Sequence, residues 1–530
     1  MIISNRKMIS SVIIISFTFI SLLSCCSYKD SSNSITSKNI IEDSFLNSLK
    51  INQNENETVG FVDRQNVSLF ITNFINEQLT QIPIAGGAIS IVKDGELFLA
   101  EGFGYSNLAN NELVNANETL FRVGSISKSF IAAAVLQLVE DGLLDLNTDI
   151  NSYLTTFKIP DSFKEPITLS NLLTHTAGFE ATSYLSSSID PSQIPTLEEV
   201  LNDSIPNRIR PVGEASSYSN YGAALAGYIV EQVSGMAFET YIEENIFTPL
   251  GMNHSTFLQP LPTPLLSNLS TSYSTTINPA PFQYITLYPG DALSSTPTDI
   301  AKYMVALLDN GSGVGNDILE KESIQNMLDD HFKWHPSVSG VSLGLVHMDT
   351  LNKSVIGHTG SINNFNSFMA LIPEENIGVF ITSNTQNTLD SCGYLFYSLL
   401  NEYYPYVYEN STDAIIEPMD NHRSRVSRYT GSYIINQRYF SAAGDSALQY
   451  EVLPSGGNIR IGEIQGISFV EVEPLLFREA TGTYNIKIAF GADKSGYITR
   501  MYLSWFDPTS GFDKIHHWYN PVEFQMLLIA

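Results

Sequence analysis

The feature that most constrains this chain is a change of hydrophobic period near residue 420. From about 125 to 410 apolar residues recur at helical spacing, as at 130–139 and 223–233, with long irregular stretches between them. Beyond about 420 the pattern becomes short alternating runs such as Asn458-Ile459-Arg460-Ile461 and Asn485-Ile486-Lys487-Ile488-Ala489-Phe490, separated by turns at Ser455-Gly456-Gly457 and Asp493-Lys494-Ser495-Gly496. An alternating pattern presents its apolar face only as a strand, so the two regions need separate cores. Repeated hairpins of this size close most readily into a small barrel or sandwich, which removes exposed edges. In the first region, residues 68–80 read as a helix. Residues 86–92 and 96–104 then flank Lys93-Asp94-Gly95, whose Asp-Gly pair supplies the positive φ angles of a tight hairpin turn. Short strands return at 367–372 and 378–382. Strands at both ends and helices between them predict an α+β domain whose sheet joins the two ends of the segment.

Composition removes several classes of partner. Acidic residues outnumber basic ones by 55 to 27, a net charge of −28 over 530 residues, which opposes binding to a phosphate backbone; no nucleic-acid partner is expected. Three cysteines, Cys25, Cys26 and Cys392, build neither a disulfide framework nor a four-thiolate metal site. Residues 1–24 read as an export signal, with Arg6 and Lys7 before an apolar run from Met8 to Leu23. Leu22-Leu23-Ser24-Cys25 resembles a bacterial lipobox, which implies lipidation of Cys25 and attachment to a membrane; the alternative is a plain signal peptide cut between residues 24 and 27. Either reading places the protein outside the cytoplasm, in the cell envelope or secreted. Residues 25–65, polar and without period, read as a solvated tether, followed by a catalytic domain at 66–410 and the β module at 420–530.

The candidate chemistry begins at Ser125-Ile126-Ser127-Lys128, followed by an apolar helical run. Residues i and i+3 share a helix face, so the Ser125 hydroxyl and the Lys128 amine are expected to meet beside the free N–H groups of a helix start. Ser4/Lys7 and Ser90/Lys93 have the same spacing, but one pair lies in the export signal and the other on a strand, where i and i+3 point to opposite faces. Further along are Tyr218-Ser219-Asn220 and His358-Thr359-Gly360. Each alone is compatible with a loop tyrosine or a packing histidine.

The ordered set Ser-x-x-Lys, Tyr-x-Asn, His-Thr-Gly resembles the serine β-lactamase and penicillin-binding-protein superfamily, nearest to its class C β-lactamase, serine esterase and D-aminopeptidase group. Residues 167–179 and 249–256 resemble accessory stretches of that group. The resemblance implies a β-lactamase-like antiparallel sheet with helices on both faces and a helical subdomain. It makes Ser125 the nucleophile, Lys128 the group that lowers its effective pKa, and Tyr218 a proton shuttle. Asn220 would bind the acyl substituent, the strand bearing His358, Thr359 and Gly360 would line the opposite wall, and a backbone N–H just after it would join that of Ser125 as an oxyanion hole. His175 is structural by this resemblance. A buried lysine beside a tyrosine is expected to have a depressed pKa. The β module, with Tyr429-Thr430-Gly431-Ser432-Tyr433 and Pro474-Leu475-Leu476-Phe477-Arg478, resembles the lipocalin-like domain attached to some members.

Two departures bear on substrate. His358 stands where many β-lactamases carry a lysine, so the fixed charge that attracts a substrate carboxylate is missing near pH 7. Ser361-Ile362-Asn363-Asn364-Phe365-Asn366 stands where relatives often have glycines, which predicts a narrower pocket or altered strand geometry. The expected function is an exported serine acyl hydrolase acting on esters or small D-amino-acid peptides and amides, with weak or no β-lactamase activity; the alternative is a non-hydrolysing penicillin-binding or peptidoglycan-sensing protein. No cofactor and no metal are expected: Gly311-Ser312-Gly313-Val314-Gly315 reads as a turn, and His331/His335 have neither an intervening glutamate nor a third ligand.

Overall fold

The computed structural model describes residues 60–79, 82–181, 187–308, 318–348, 353–404, 418–435, 449–462, 467–480, 487–504 and 508–514. The export signal, Cys25, the tether up to residue 59 and the 311–315 glycine run lie outside these residues. The first helix, α1 (Arg64–Leu79), begins four residues earlier than the apolar spacing predicts. It leads into β1 (Gly86–Lys93) and β2 (Glu96–Asn107), joined by Asp94 at φ 52° and Gly95 at φ 80°, the left-handed pair that the Asp-Gly sequence predicts. A two-residue strand, β3 (Glu112–Leu113), flanks β2.

After a largely helical middle, the chain returns as β4 (Phe332–Lys333), β5 (Gly340–Val341), β6 (Val346–His347), β7 (Ile356–Ile362), β8 (Phe365–Ile372) and β9 (Ile377–Ser383). These complete a nine-stranded sheet in the order β3-β2-β1-β9-β8-β7-β6-β5-β4, with every pairing antiparallel. The expected joining of both ends of the segment is the β1–β9 ladder, from Gly87 opposite Ser383 to Lys93 opposite Ile377.

Both faces of the sheet are covered, and the period of two decides which side chain goes where. Phe368, Ala370 and Ile372 of β8 pack with Val67 and Ile71 of α1 and with Phe396 and Leu399 of α5 (Leu389–Tyr403). Their neighbours Met369 and Leu371 face the other way, into a larger core with α2 (Ser127–Glu140), α3 (Asn220–Ser234) and α4 (Pro297–Leu308). Each such buried Leu, Ile or Phe is worth about 1.5–3 kcal/mol against exposure. Helix α2 is buried almost all round, from Ser127 to Leu136, which a run such as Phe-Ile-Ala-Ala-Ala-Val-Leu permits because no face needs to be polar. Its N-terminus is therefore sealed inside the protein.

After α6 (His422–Tyr429) come eight strands: β10 (Gly431–Ile435), β11 (Gln449–Ser455), β12 (Asn458–Ile461), β13 (Phe469–Glu473), β14 (Leu476–Glu479), β15 (Lys487–Ala492), β16 (Ile498–Leu503) and β17 (Phe512–Lys514). They form a closed antiparallel barrel, with β17 pairing back onto β10. Its interior is filled by Tyr429, Tyr433, Tyr450, Phe477, Phe490, Tyr502 and their neighbours, so it is a packed core. The fold is thus α+β with a separate all-β barrel, as the two hydrophobic periods require.

Candidate active site

Ser125 lies in a single 3-10 turn, Gly124–Ile126, that runs directly into α2. Gly124 has φ 58°, a left-handed conformation that favours glycine, and the turn is tied down by the Ser127 hydroxyl, which donates to the Gly124 carbonyl at 2.6 Å and accepts from the Leu293 N–H at 3.2 Å. This geometry puts Ser125 and Lys128 on one face, with Lys128 Nζ 3.0 Å from Ser125 Oγ. The lysine is buried with its stem among α2, α3 and the segment around Gly290, where it also donates to the Gly290 carbonyl at 3.0 Å.

Tyr218 lies just before α3. Its ring centroid is 5.1 Å from Lys128 Nζ, and its hydroxyl interacts with both Lys128 and Ser125. Ser219 caps the helix by accepting from the Gly222 N–H at 3.0 Å, which fixes how the tyrosine leaves the chain. Asn220 is the first residue of α3, and its side-chain oxygen is buried without a hydrogen-bond partner. Across the crevice His358, Thr359 and Gly360 lie on β7, with the His358 ring centroid 6.1 Å from that of Tyr218. A side chain at Gly360 would overlap the Val123 carbonyl, and one at Gly124 would come within 2.8 Å of the Ser361 nitrogen. The two glycines therefore bring the backbone N–H groups of Ser125 and Ser361 into one crevice, the layout of an oxyanion hole. Ser125, Lys128, Tyr218, His358 and Gly360 are thus brought to one site, with Asn220 two residues beyond Tyr218 at the start of α3 and Thr359 between His358 and Gly360 on β7.

The Asn363-Asn364 departure resolves locally. Both residues adopt left-handed φ, 48° and 69°, making a two-residue turn between β7 and β8, and the ladder runs unbroken from Ile356 opposite Leu371 to Ile362 opposite Phe365. Asparagine tolerates this conformation, so the strand geometry is regular without glycine.

Two features were not legible in the motifs. The first is Asp291, set in Pro289-Gly290-Asp291-Ala292, where nothing in the spacing singles it out. Its Oδ1 accepts from Ser125 Oγ at 2.7 Å and pairs with Lys128 Nζ at 3.2 Å, both side chains being 2% exposed, while Oδ2 is buried without a partner. This corrects the expectation of a depressed lysine pKa. Burial pulls it down, but the Asp291 carboxylate and Tyr218 outweigh burial and hold Lys128 above its ordinary value. Tyr218 is itself pushed up, by burial first, and stays a neutral phenol.

The second is the depth of His175 in the site. Its ring lies 4.5 Å from that of Tyr218, and its Nδ1 accepts the Ser219 N–H at 3.1 Å. A backbone N–H can only donate, so Nδ1 is unprotonated; burial, and after it the charge on Lys128, hold the imidazole well below its ordinary pKa. His175 thus positions the Tyr218 loop as a neutral ring. The barrel reaches the same loop. The Tyr218 N–H donates to the Thr509 carbonyl at 3.2 Å, Arg500 pairs with Glu214, and Asp513 pairs with Arg210 at 3.3 Å. Trp334 stacks on Tyr502 at 6.0 Å and donates to the Pro508 carbonyl at 2.8 Å.

Comparison with known proteins bears on the fold and family. Residues 71–398, more than half of the chain, match the family model described as Beta-lactamase. Protein flp of Staphylococcus aureus (strain N315) is 25% identical over 388 residues, covering 69% of this chain and 69% of that protein. Among solved structures, the octameric penicillin-binding protein homologue from Pyrococcus abyssi superposes with a TM-score of 0.55 at 24% identity, over 85% of this chain and all of that one. A class C beta lactamase from Rhodobacter sphaeroides superposes with a TM-score of 0.54 at 19% identity, over 63% of this chain and 99% of that one.

Proposed function

Because the chain belongs to the beta-lactamase family of serine hydrolases, we propose that it is an exported serine acyl hydrolase that acts through a covalent acyl-enzyme on Ser125, with esters or small D-amino-acid peptides and amides as substrates. The observation that carries this reading is the Ser125 hydroxyl held 3.0 Å from Lys128 Nζ at the buried start of α2, facing the Gly360–Ser361 backbone. Ser125 Oγ attacks the acyl carbon, the oxyanion is met by the two backbone N–H groups, and the leaving group departs with a proton supplied from the Tyr218 side. Water then hydrolyses the acyl-enzyme.

The electrostatics of the crevice favour neutral acyl groups. Lys128 and Asp291 neutralise each other, His175 is uncharged, and His358 replaces the lysine that would attract a carboxylate. The ammonium beside the nucleophile is offset by Asp291, so a substrate anion finds no net positive charge there, which supports weak or no turnover of β-lactams. The unpartnered Asn220 oxygen offers an acceptor to an amide N–H of the acyl substituent. Export and lipid attachment at Cys25 rest on the sequence of the first 25 residues; among the described residues no helix is long and apolar enough to cross a membrane.

The test is p-nitrophenyl acetate, a panel of esters and D-amino-acid amides, and a fluorescent penicillin, each with the wild type and Ser125→Ala. Turnover lost in Ser125→Ala supports the hydrolase. Stable penicillin labelling of Ser125 without turnover of any ester or amide refutes it in favour of a binding protein.

A further inference from the structure

We propose that Asp291 is the general base that takes the Ser125 proton during acylation, with Lys128 starting as an ammonium that relays a proton and not acting as the base. This rests on the hydrolase reading above.

An ammonium has three protons and no lone pair. Lys128 Nζ lies 3.0 Å from Ser125 Oγ, 3.0 Å from the Gly290 carbonyl and 3.2 Å from Asp291 Oδ1 and also interacts with the Tyr218 hydroxyl; of these, the carbonyl and the carboxylate can only accept. Paired with the buried Asp291 carboxylate and held above its ordinary pKa, the amine is an ammonium, which has no lone pair to receive a proton from serine. Ser125 Oγ has one proton of its own, and among its partners Lys128 Nζ, the Tyr218 hydroxyl and Asp291 Oδ1, the carboxylate at 2.7 Å is the one that can only accept. That is the length of a charge-assisted O–H···O⁻ bond and within the reach required of a general base. Asp291 touches the reacting atom itself.

The elevated pKa of Lys128 agrees with an ammonium, and the elevated pKa of Tyr218 agrees with a phenol that donates and does not abstract. The charged and titratable groups around Asp291 are Lys128 and Tyr218 beside it and Arg122, whose guanidinium burial lowers to about 10 while Asp291 raises it; His175 and His358 lie beyond, against Tyr218.

The protons balance as follows. As Ser125 Oγ bonds to the acyl carbon, its proton passes to Asp291 Oδ1. As the bond to the leaving oxygen or nitrogen breaks, that atom takes the phenolic proton of Tyr218. Lys128, which interacts with both, gives a proton to the phenolate and takes the one held by Asp291. The net change is transfer of the serine proton to the leaving group, with all three side chains restored.

The experiment is the pH dependence of kcat/KM for p-nitrophenyl acetate in wild type, Asp291→Asn and Asp291→Glu, with Ser125 acylation followed by mass spectrometry. Wild-type kcat/KM is expected to fall toward acid and to stay level up to about pH 9, and Asp291→Asn to lose about 10²–10⁴-fold and the acid limb, while Asp291→Glu keeps the limb. A wild-type rate that keeps climbing above about pH 8, as a neutral amine would demand, overturns the assignment without any variant having to fold. Asp291→Asn at the wild-type rate also overturns it. A wild type that neither turns over nor becomes acylated overturns the hydrolase reading first, a result distinct from either of these.

Discussion

Replacing Lys128 by methionine removes the only cation within hydrogen-bond distance of Asp291 among the described residues and leaves the carboxylate 2% exposed with Oδ2 already unpartnered. Breaking one side of a buried ion pair costs about 3–5 kcal/mol, because a charge remains in low dielectric without compensation. The cost does not include much lost packing, since methionine fills a similar volume. For a cooperative unit of the roughly 330 residues spanned by the family match, an unfolding entropy of about 2.1 cal/mol/K per residue makes this a drop in Tm of about 4–7 °C. Asp291→Asn, which leaves the ammonium with neutral acceptors and no counter-charge, should cost about as much. The double variant Lys128→Met/Asp291→Asn buries neither charge of this pair and should be more stable than either single variant. Differential scanning calorimetry of the four proteins closes the cycle. If the double variant lost the sum of the two single losses, the two groups would be uncoupled and the electrostatic account of the site would be wrong.

Other consequences follow from the same geometry. Gly360→Ala places a methyl group against the Val123 carbonyl and should lower kcat/KM for esters by 10²-fold or more, on the order of the loss of one oxyanion donor; an unchanged rate would remove β7 from the oxyanion hole. Tyr218→Phe should depress kcat more than KM, and by less for p-nitrophenyl esters, whose leaving group needs no proton, than for alkyl esters. His175 is held neutral in the fold, so the unfolded chain binds an extra proton below about pH 6.5 and stability falls with a slope of up to about 1.4 kcal/mol per pH unit as the medium is acidified; His175→Asn, which can still accept the Ser219 N–H, should flatten that limb in urea titrations. Arg500→Ala removes the pairing with Glu214 that ties the barrel to the Tyr218 loop and should raise KM for bulky substrates while leaving the barrel folded, as seen by near-ultraviolet circular dichroism.

Local chemistry carried much of this protein. The Asp94-Gly95 turn, the alternation of β8 and β12, and the apolar runs of α2 and α3 each follow from residues within a few positions of one another, because turn conformation and hydrophobic period are local properties. The Ser125–Lys128 contact is of the same kind, since a helical turn fixes i and i+3 side by side. What only the tertiary structure decided is the charge state of that pair. Asp291 arrives from 163 residues further along the chain, in a stretch whose spacing says nothing of catalysis, and His175 arrives from the loop between two other helical segments. The energy of a charge depends on which groups burial brings within a few ångströms and on how much water burial removes, and neither quantity is a function of sequence neighbours. A lysine expected from its neighbours to have a depressed pKa is thereby held as an ammonium.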